Sequence, residues 1–415
     1  MHRSVLRPAL AVSLAAAVTG ATATDAAAST APATTTATTS TPADFYAAPA
    51  PLPAGKPGAL IRYRPTTANL GAGAPATSAW TVMYHSRTAQ GNDEAVTGTV
   101  LEPTAGWSGA GPRPYVTFAA GTQGLGPSCA PSKQLVAGTE YEASSISLAL
   151  NKGWGVVVTD YDGYTTGATP TYTAGPDMAH AVLDIARAAR QVPGVDEAAG
   201  APLAAWGYSQ GGGGSAWASV LQPTYAPELN LLADASGGVP ADPKAVGDSL
   251  NANAGAAFLL DALIGNQVAY PKQWQFTPLL NPAGIAAVAT IKQQCVSDSL
   301  TTFAFKDLNT YLTPGHTLAQ FEATPGVTAV TAANQLAAQP APRVPVYQYH
   351  SAADEIVPLA QATALHQKWC TEGVRTRMDL YPGDHVTGDS EGAPAAVRWI
   401  DEVFSGRPIL TACLS

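Results

Sequence analysis

The sequence predicts a doubly wound α/β fold, and three observations carry that expectation. Short unbroken apolar runs of strand length recur along the chain, and each leads within a few residues into Gly, Asp or Ser. Parallel strands buried on both faces read this way, with polar residues gathered at their C-terminal ends. An amphipathic helical stretch lies between two of these runs, and strand–helix–strand alternation is the pattern of a sheet wrapped by helices. Finally, only 12% of residues are charged, while 39 Gly and 34 Pro imply many turns and few long uninterrupted helices.

Two early runs, 79–85 (AWTVMYH) and 95–101 (AVTGTVL), alternate with period two and predict a meander with one face exposed. The pattern then changes to the continuous runs 115–119 (YVTFA), 155–159 (GVVVT) and 204–207 (AAWG), which predict buried parallel strands. Residues 177–190 (DMAHAVLDIARAAR) carry helical spacing, and 344–350 and 375–381 predict two late strands. The segment 235–335 breaks the alternation. Its apolar stretches at 256–264 and 282–289 are helical in character with no clear strand between them, which predicts a helical cap lying over the sheet, the alternative being ordinary core helices of the main domain. No internal repeat is present.

The termini set the compartment. A basic start (His2, Arg3, Arg7) precedes an apolar run and small-residue cleavage sites, so residues 1–28 read as a signal peptide. That run is shorter than the ~20 residues a membrane span needs, and no later stretch predicts a transmembrane segment. Residues 29–43 form a Ser/Thr/Pro-rich linker, leaving 44–415 as the folded domain. A secreted, extracellular protein is expected. Its net charge of −9 argues against a nucleic-acid partner. Four widely spaced cysteines (Cys129, Cys295, Cys370, Cys413), without Cys-x-x-Cys or paired histidines, do not form a zinc pattern. In an oxidising compartment they imply two disulfides, with three connectivities open.

The chemistry is concentrated at Gly207-Tyr208-Ser209-Gln210-Gly211, a G-x-S-x-G pentapeptide directly after an apolar run. In the α/β-hydrolase arrangement this is a strained strand-to-helix turn that aims the serine oxygen away from the sheet. The pattern alone is weak in so glycine-rich a chain; its context strengthens it. A serine hydroxyl needs a base, and the base needs an orienting acid, in the chain order Ser, acid, His. Four histidines follow Ser209. His385 comes just after a predicted strand, through Pro382-Gly383-Asp384, where a base belongs. His350, at the end of an apolar strand, and His366, in a helix-like stretch, read as structural, and His316 falls in the predicted cap. The stretch after 350 places Asp354 and Glu355 just past a strand end as candidate acids, while Asp384 reads as a turn-former.

As a set, these stretches resemble the secretory lipase family, the lipase A type of α/β-hydrolase. The resemblance is carried by Gly121-Thr122-Gln123-Gly124 with Cys129-Ala130-Pro131-Ser132, by 153–163 (GWGVVVTDYDG), by the elbow, and by the loops Asp354-Glu355-Ile356-Val357-Pro358 and Gly383-Asp384-His385. It covers about 45–415. It implies a triacylglycerol lipase or esterase with Asp354, rather than Glu355, as the acid, and the pairing Cys129–Cys295 and Cys370–Cys413. The best-known members carry an acidic residue where this chain has Gly121-Thr122. The first oxyanion donor, the Gln210 N–H, follows from the elbow itself; the resemblance points to Thr122 for the second.

The expected reaction is attack of Ser209 on a carboxylic ester, needing neither metal nor organic cofactor. The partner is a lipid or other ester, at an oil–water interface for a triacylglycerol. An acyl chain needs an apolar cavity, and the predicted cap offers Phe258, Leu259, Leu263 and Ile264 as its lining. Two other classes share features with this reading. A polyester hydrolase or peptidase would use the same three residues. A non-catalytic binding protein on the same scaffold would lack one of them, and none is missing.

Overall fold

The fold was analysed in a computed structural model, which describes residues 44–413. The predicted signal peptide at 1–28 and linker at 29–43 lie outside the described residues.

Nine strands form one sheet: β1 (Leu60–Thr66), β2 (Thr77–Arg87), β3 (Asp93–Pro103), β4 (Tyr115–Ala119), β5 (Gly155–Thr159), β6 (Leu203–Tyr208), β7 (Leu231–Gly237), β8 (Val346–Ser351) and β9 (Thr376–Tyr381). Their order is β1-β2-β3-β5-β4-β6-β7-β8-β9. The first three strands are antiparallel, as is the β3–β5 pair, and the rest are parallel. β4, β5 and β6 are buried along their whole length, which is what their unbroken apolar sequences require.

β2 and β3 depart from the expected half-exposed meander, because both are buried on both faces over most of their length. The helix Gly175–Ala189 covers one face, where Tyr84 and Val96 join its Ala181 and Ile185 in the main core, and Tyr84 Oη–H donates to the Ala181 carbonyl (3.1 Å). On the other face Met83 and Ala95 pack with Phe45 and Tyr46, at the start of the described chain. An alternating pattern marks two faces that differ; here the difference is between two partners, not between protein and water.

Two strands escaped prediction. β1 carries Arg62 and Arg64 on a sheet edge, and β7 (LLADASG) has only two large apolar residues. Between β7 and β8 the chain forms helices only, among them Pro243–Leu250, Ala256–Ala269, Pro282–Ile291, Val296–Phe303 and Pro325–Ala333. This insertion therefore begins after residue 237; the first three positions of the expected 235–335 segment complete β7. It has an apolar core of its own, with Leu260, Phe276, Ile291, Phe303 and Phe321 buried in it.

The insertion is joined to the loop after β4. Cys129 and Cys295 form a disulfide with Cα atoms 5.3 Å apart. Beside it the Val296 N–H donates to Gln123 O (2.9 Å) and the Gly126 N–H to Gln294 O (3.1 Å). A second disulfide, Cys370–Cys413, holds the C-terminal tail against the helix Leu359–Thr371, with Cα atoms 5.6 Å apart.

Candidate active site

β6 ends at Tyr208, and the helix Gln210–Tyr225 starts two residues later, so Ser209 alone makes the turn. Its φ of +57° and ψ of −122° are strained for a residue with a side chain. The turn is held from below, where the Ser209 N–H donates to Gly237 O (3.0 Å). The glycines that follow allow the helix to approach the sheet. A Cβ at Gly211 would lie 1.9 Å from the Ala119 carbonyl oxygen, and one at Gly212 would lie 1.9 Å from that of Gly237. Only hydrogen fits at either position.

The C-terminal ends of three parallel strands converge at this turn. Asp354 follows β8, and His385 opens the helix His385–Phe404 shortly after β9. His385 Nε2 lies 2.8 Å from Ser209 Oγ, and its Nδ1 lies 2.7 Å from Asp354 Oδ2. With a neutral imidazole, the serine hydroxyl donates to Nε2 while Nδ1–H donates to the carboxylate. The Asp354 side chain is shielded from solvent, and its Oδ1 accepts from the N–H groups of Ile356 (3.0 Å) and Val357 (2.7 Å). Burial by itself would raise the Asp354 carboxyl. Hydrogen bonds from His350 and His385, the charge on His385 and the Val357 N–H outweigh it and hold the group well below the usual carboxylate range.

The neighbours divide as their positions require. Glu355, the other candidate acid, accepts from the His385 backbone N–H through Oε2 (3.0 Å) and does not meet the imidazole. Asp384 caps the last helix, its Oδ1 accepting from the Thr387 N–H (2.9 Å). His366 is buried between Gln348 and the Ala412 carbonyl. His350, read from sequence as structural, lies against Asp354.

Gln210 and Thr122 are both buried. Gln210 begins the helix after Ser209, so its N–H belongs to the unpaired first turn. The Thr122 hydroxyl pairs with Tyr172 Oη (2.6 Å). The adjacent Gly121 N–H donates to Glu142 Oε2 (2.7 Å), so the carboxylate at this loop comes from a helix start 21 residues later. Sequence reasoning did not single out Glu142; nothing in its local pattern links it to residue 121. Burial pushes Glu142 well up and raises its neighbours Glu140, to about 7, and Asp389, to about 6.

A cavity of about 100 Å³ opens at Ser209 and Gln210. The insertion contributes Phe258, Leu259 and Leu263 to its lining, and the core contributes Met178 and Trp217. Ile264, also expected there, does not line it and is buried in the insertion's own core. The helix Ala256–Ala269 is apolar nearly all round, so the sequence does not reveal which face meets the cavity. At another edge of the cavity Lys244 and Glu322 form an ion pair (3.2 Å).

The comparison with known proteins now decides the family. The model of the family described as secretory lipase matches residues 130–412. The chain belongs to the secretory lipase family. Two Candida albicans proteins, Lipase 10 and Lipase 2, are each 30% identical to it, over 399 and 404 residues, spanning 89% and 90% of this chain and 82% and 83% of theirs. The secreted triacylglycerol lipase LIP7 of Malassezia globosa is 29% identical over 294 residues, 67% of this chain and 61% of its own. In fold, the chain is similar to Candida antarctica lipase A (TM-score 0.78, 23% identity, 89% of this chain and 87% of that one). The rice cell wall degrading esterase LipA of Xanthomonas oryzae is more distant (TM-score 0.70, 19% identity, 85% of this chain and all of that one). As a secretory lipase of α/β-hydrolase fold, the protein is a carboxylic ester hydrolase.

Among the described residues one group of carboxylates, Glu94, Asp162 and Asp177, brings an oxygen from each within 4.8 Å of the others. None of the three takes part in the Ser209–His385–Asp354 line or lines the cavity.

Proposed function

We propose that this secretory lipase hydrolyses triacylglycerols and related long-chain esters outside the cell, through an acyl-enzyme formed on Ser209. His385 takes the proton of Ser209 as the oxygen attacks the ester carbonyl, and Asp354 orients the imidazole and stabilises its charge. His385 then hands that proton to the leaving alcohol. Water, deprotonated by the same imidazole, cleaves the acyl-enzyme and regenerates the serine. The N–H groups of Gln210 and Thr122 stabilise the tetrahedral oxyanion, an effect of roughly 3–4 kcal/mol per donor. The insertion acts as a cap whose Phe258, Leu259 and Leu263 receive the acyl chain at an oil–water interface.

The observation that carries this reading is the unbroken line of hydrogen bonds, 2.8 and 2.7 Å, that ends at the mouth of a largely apolar cavity. The pairing of Cys129 with Cys295 and of Cys370 with Cys413 accords with an oxidising, extracellular setting. The test is Ser209→Ala. Folded variant should lose on the order of 10⁶ in turnover on tributyrin and trioctanoin and should no longer be labelled by a fluorophosphonate. Retained turnover would overturn the proposal. In the unmodified protein, faster cleavage of a peptide amide or a polyester film than of these triglycerides would redirect the substrate class.

A further inference from the structure

Asp354 is shared by two imidazoles. His350, on β8 and 1% exposed, has its Nε2 2.9 Å from the Val357 carbonyl oxygen and 3.3 Å from Asp354 Oδ2. A carbonyl oxygen only accepts, so Nε2 must carry the proton. Nε2–H therefore donates to that carbonyl while lying 3.3 Å from Asp354 Oδ2. Oδ2 thus accepts His385 Nδ1–H from one side and has His350 Nε2–H close by on another, while Oδ1 is occupied by two backbone N–H groups.

We infer that His350 is a positioning residue for the ester hydrolysis, holding Asp354 ionised and in one rotamer beneath His385. The inference rests on the reading of Ser209, His385 and Asp354 as the reacting set. A carboxylate cut off from water is costly to keep charged unless donors replace the lost hydration. His350 supplies one of these donors without touching the reacting atoms. It also draws negative charge from the oxygen that His385 uses. Without it, Asp354 should bind a proton at higher pH and hold the imidazole less firmly, which moves the acid limb of kcat/KM up.

The other titratable groups facing this arrangement are Tyr208 on β6, Glu355 in the same loop as Asp354, and Asp384 and Asp389 at the last helix. Asp389, pushed up to about 6 by burial, titrates near an esterase's acid limb and must be controlled.

The test compares pH profiles of kcat/KM on tributyrin for the unmodified protein, His350→Phe and His350→Gln, each with and without Asp389→Asn. His350→Phe keeps the ring's bulk but donates nothing. It should move the acid limb up by roughly one pH unit and lower kcat about tenfold with KM unchanged. His350→Gln, which keeps an N–H donor, should return the limb towards its original place, and the shift should persist in the Asp389→Asn background. Superimposable limbs for all three, or a shift that vanishes with Asp389→Asn, would overturn the role of His350. If His350→Phe does not fold, ¹⁵N-histidine NMR of the unmodified protein decides: His350 Nε2 should be protonated, with a resonance that moves in Asp354→Asn. An unprotonated Nε2 or an unmoved resonance refutes the assignment. Asp354→Asn separates the two levels. If it retains full turnover, the reading of the reacting set fails; if it is inactive while the His350 profiles coincide, only the inference fails.

Discussion

Tyr208 Oη–H donates to the backbone carbonyl of His385 at 2.7 Å, so the residue before Ser209 fastens His385 itself. Two segments 177 residues apart in sequence are thereby locked at the point where their relative position matters to a few tenths of an ångström. Tyr208→Phe leaves that buried carbonyl without its donor, at a cost of about 1–3 kcal/mol. The expected result is a kcat lowered about tenfold, KM unchanged and melting a few degrees lower. Steady-state kinetics and a melting curve check it, and an unaltered kcat refutes it.

The glycines after Ser209 are not equivalent. Gly211→Ala and Gly212→Ala each press a methyl group against a backbone carbonyl that cannot step aside. Each should destabilise by about 3 kcal/mol or more. At Gly213 the nearest atom is a ring carbon of Pro240, 3.2 Å away. There the gain in helix propensity, up to ~1 kcal/mol, offsets the crowding, and Gly213→Ala should fold within about 1 kcal/mol of the parent. Urea unfolding of the three variants ranks them; equal stabilities would refute the close-approach argument.

The cavity distinguishes two adjacent side chains. Leu263→Trp places bulk in the lining, so turnover on trioctanoin should fall at least tenfold more than on acetate esters, because remote acyl contacts supply binding energy while the carbonyl chemistry stays intact. Ile264→Trp overpacks the insertion's core and should lower melting temperature and all ester activities alike, at a cost of about 1–3 kcal/mol. Should Leu263→Trp lose activity uniformly together with its fold, the acyl-site assignment falls.

Asp234 on β7 is fully buried; burial pushes it up to about 7, against hydrogen bonds from Ser236 (2.8 Å) and Ser219 (3.2 Å). A group raised in the folded state stabilises it fully below the unfolded value, near 4, and loses that contribution as pH rises through about 7. Stability should therefore decline from pH 4 to pH 7, with Asp234 supplying on the order of 4 kcal/mol of the fall at most. Asp234→Asn should flatten the decline. Glu197 and Glu140, also raised to about 7 by burial, keep the remainder. Denaturant midpoints across that range test this, and an unchanged slope in the variant would refute it.

Most of the sheet was legible because burial on both faces leaves an unmistakable trace in GVVVT or YVTFA. β7 left none: Asp234, Ser236 and Gly237 are buried, but they are satisfied by serine hydroxyls and close backbone packing, which do not look apolar in sequence. That Ser209, Asp354 and His385 would meet could be read because each follows a strand end in a fixed order. Glu142 and His350 could not. Each reaches the site through a contact made by the fold, the first across 21 residues to Gly121 and the second by turning back over its own loop.

The seam at Cys129–Cys295 ties one edge of the insertion to the loop after β4. With the Val296 and Gly126 hydrogen bonds alongside, that edge of the insertion moves only with the loop after β4. The cavity border at Lys244 and Glu322 is held by ion pairs instead, Lys244 meeting both Glu322 (3.2 Å) and Asp248, and these are screened by salt. The insertion thus has two unlike holds: one yields to ionic strength, the other to thiols.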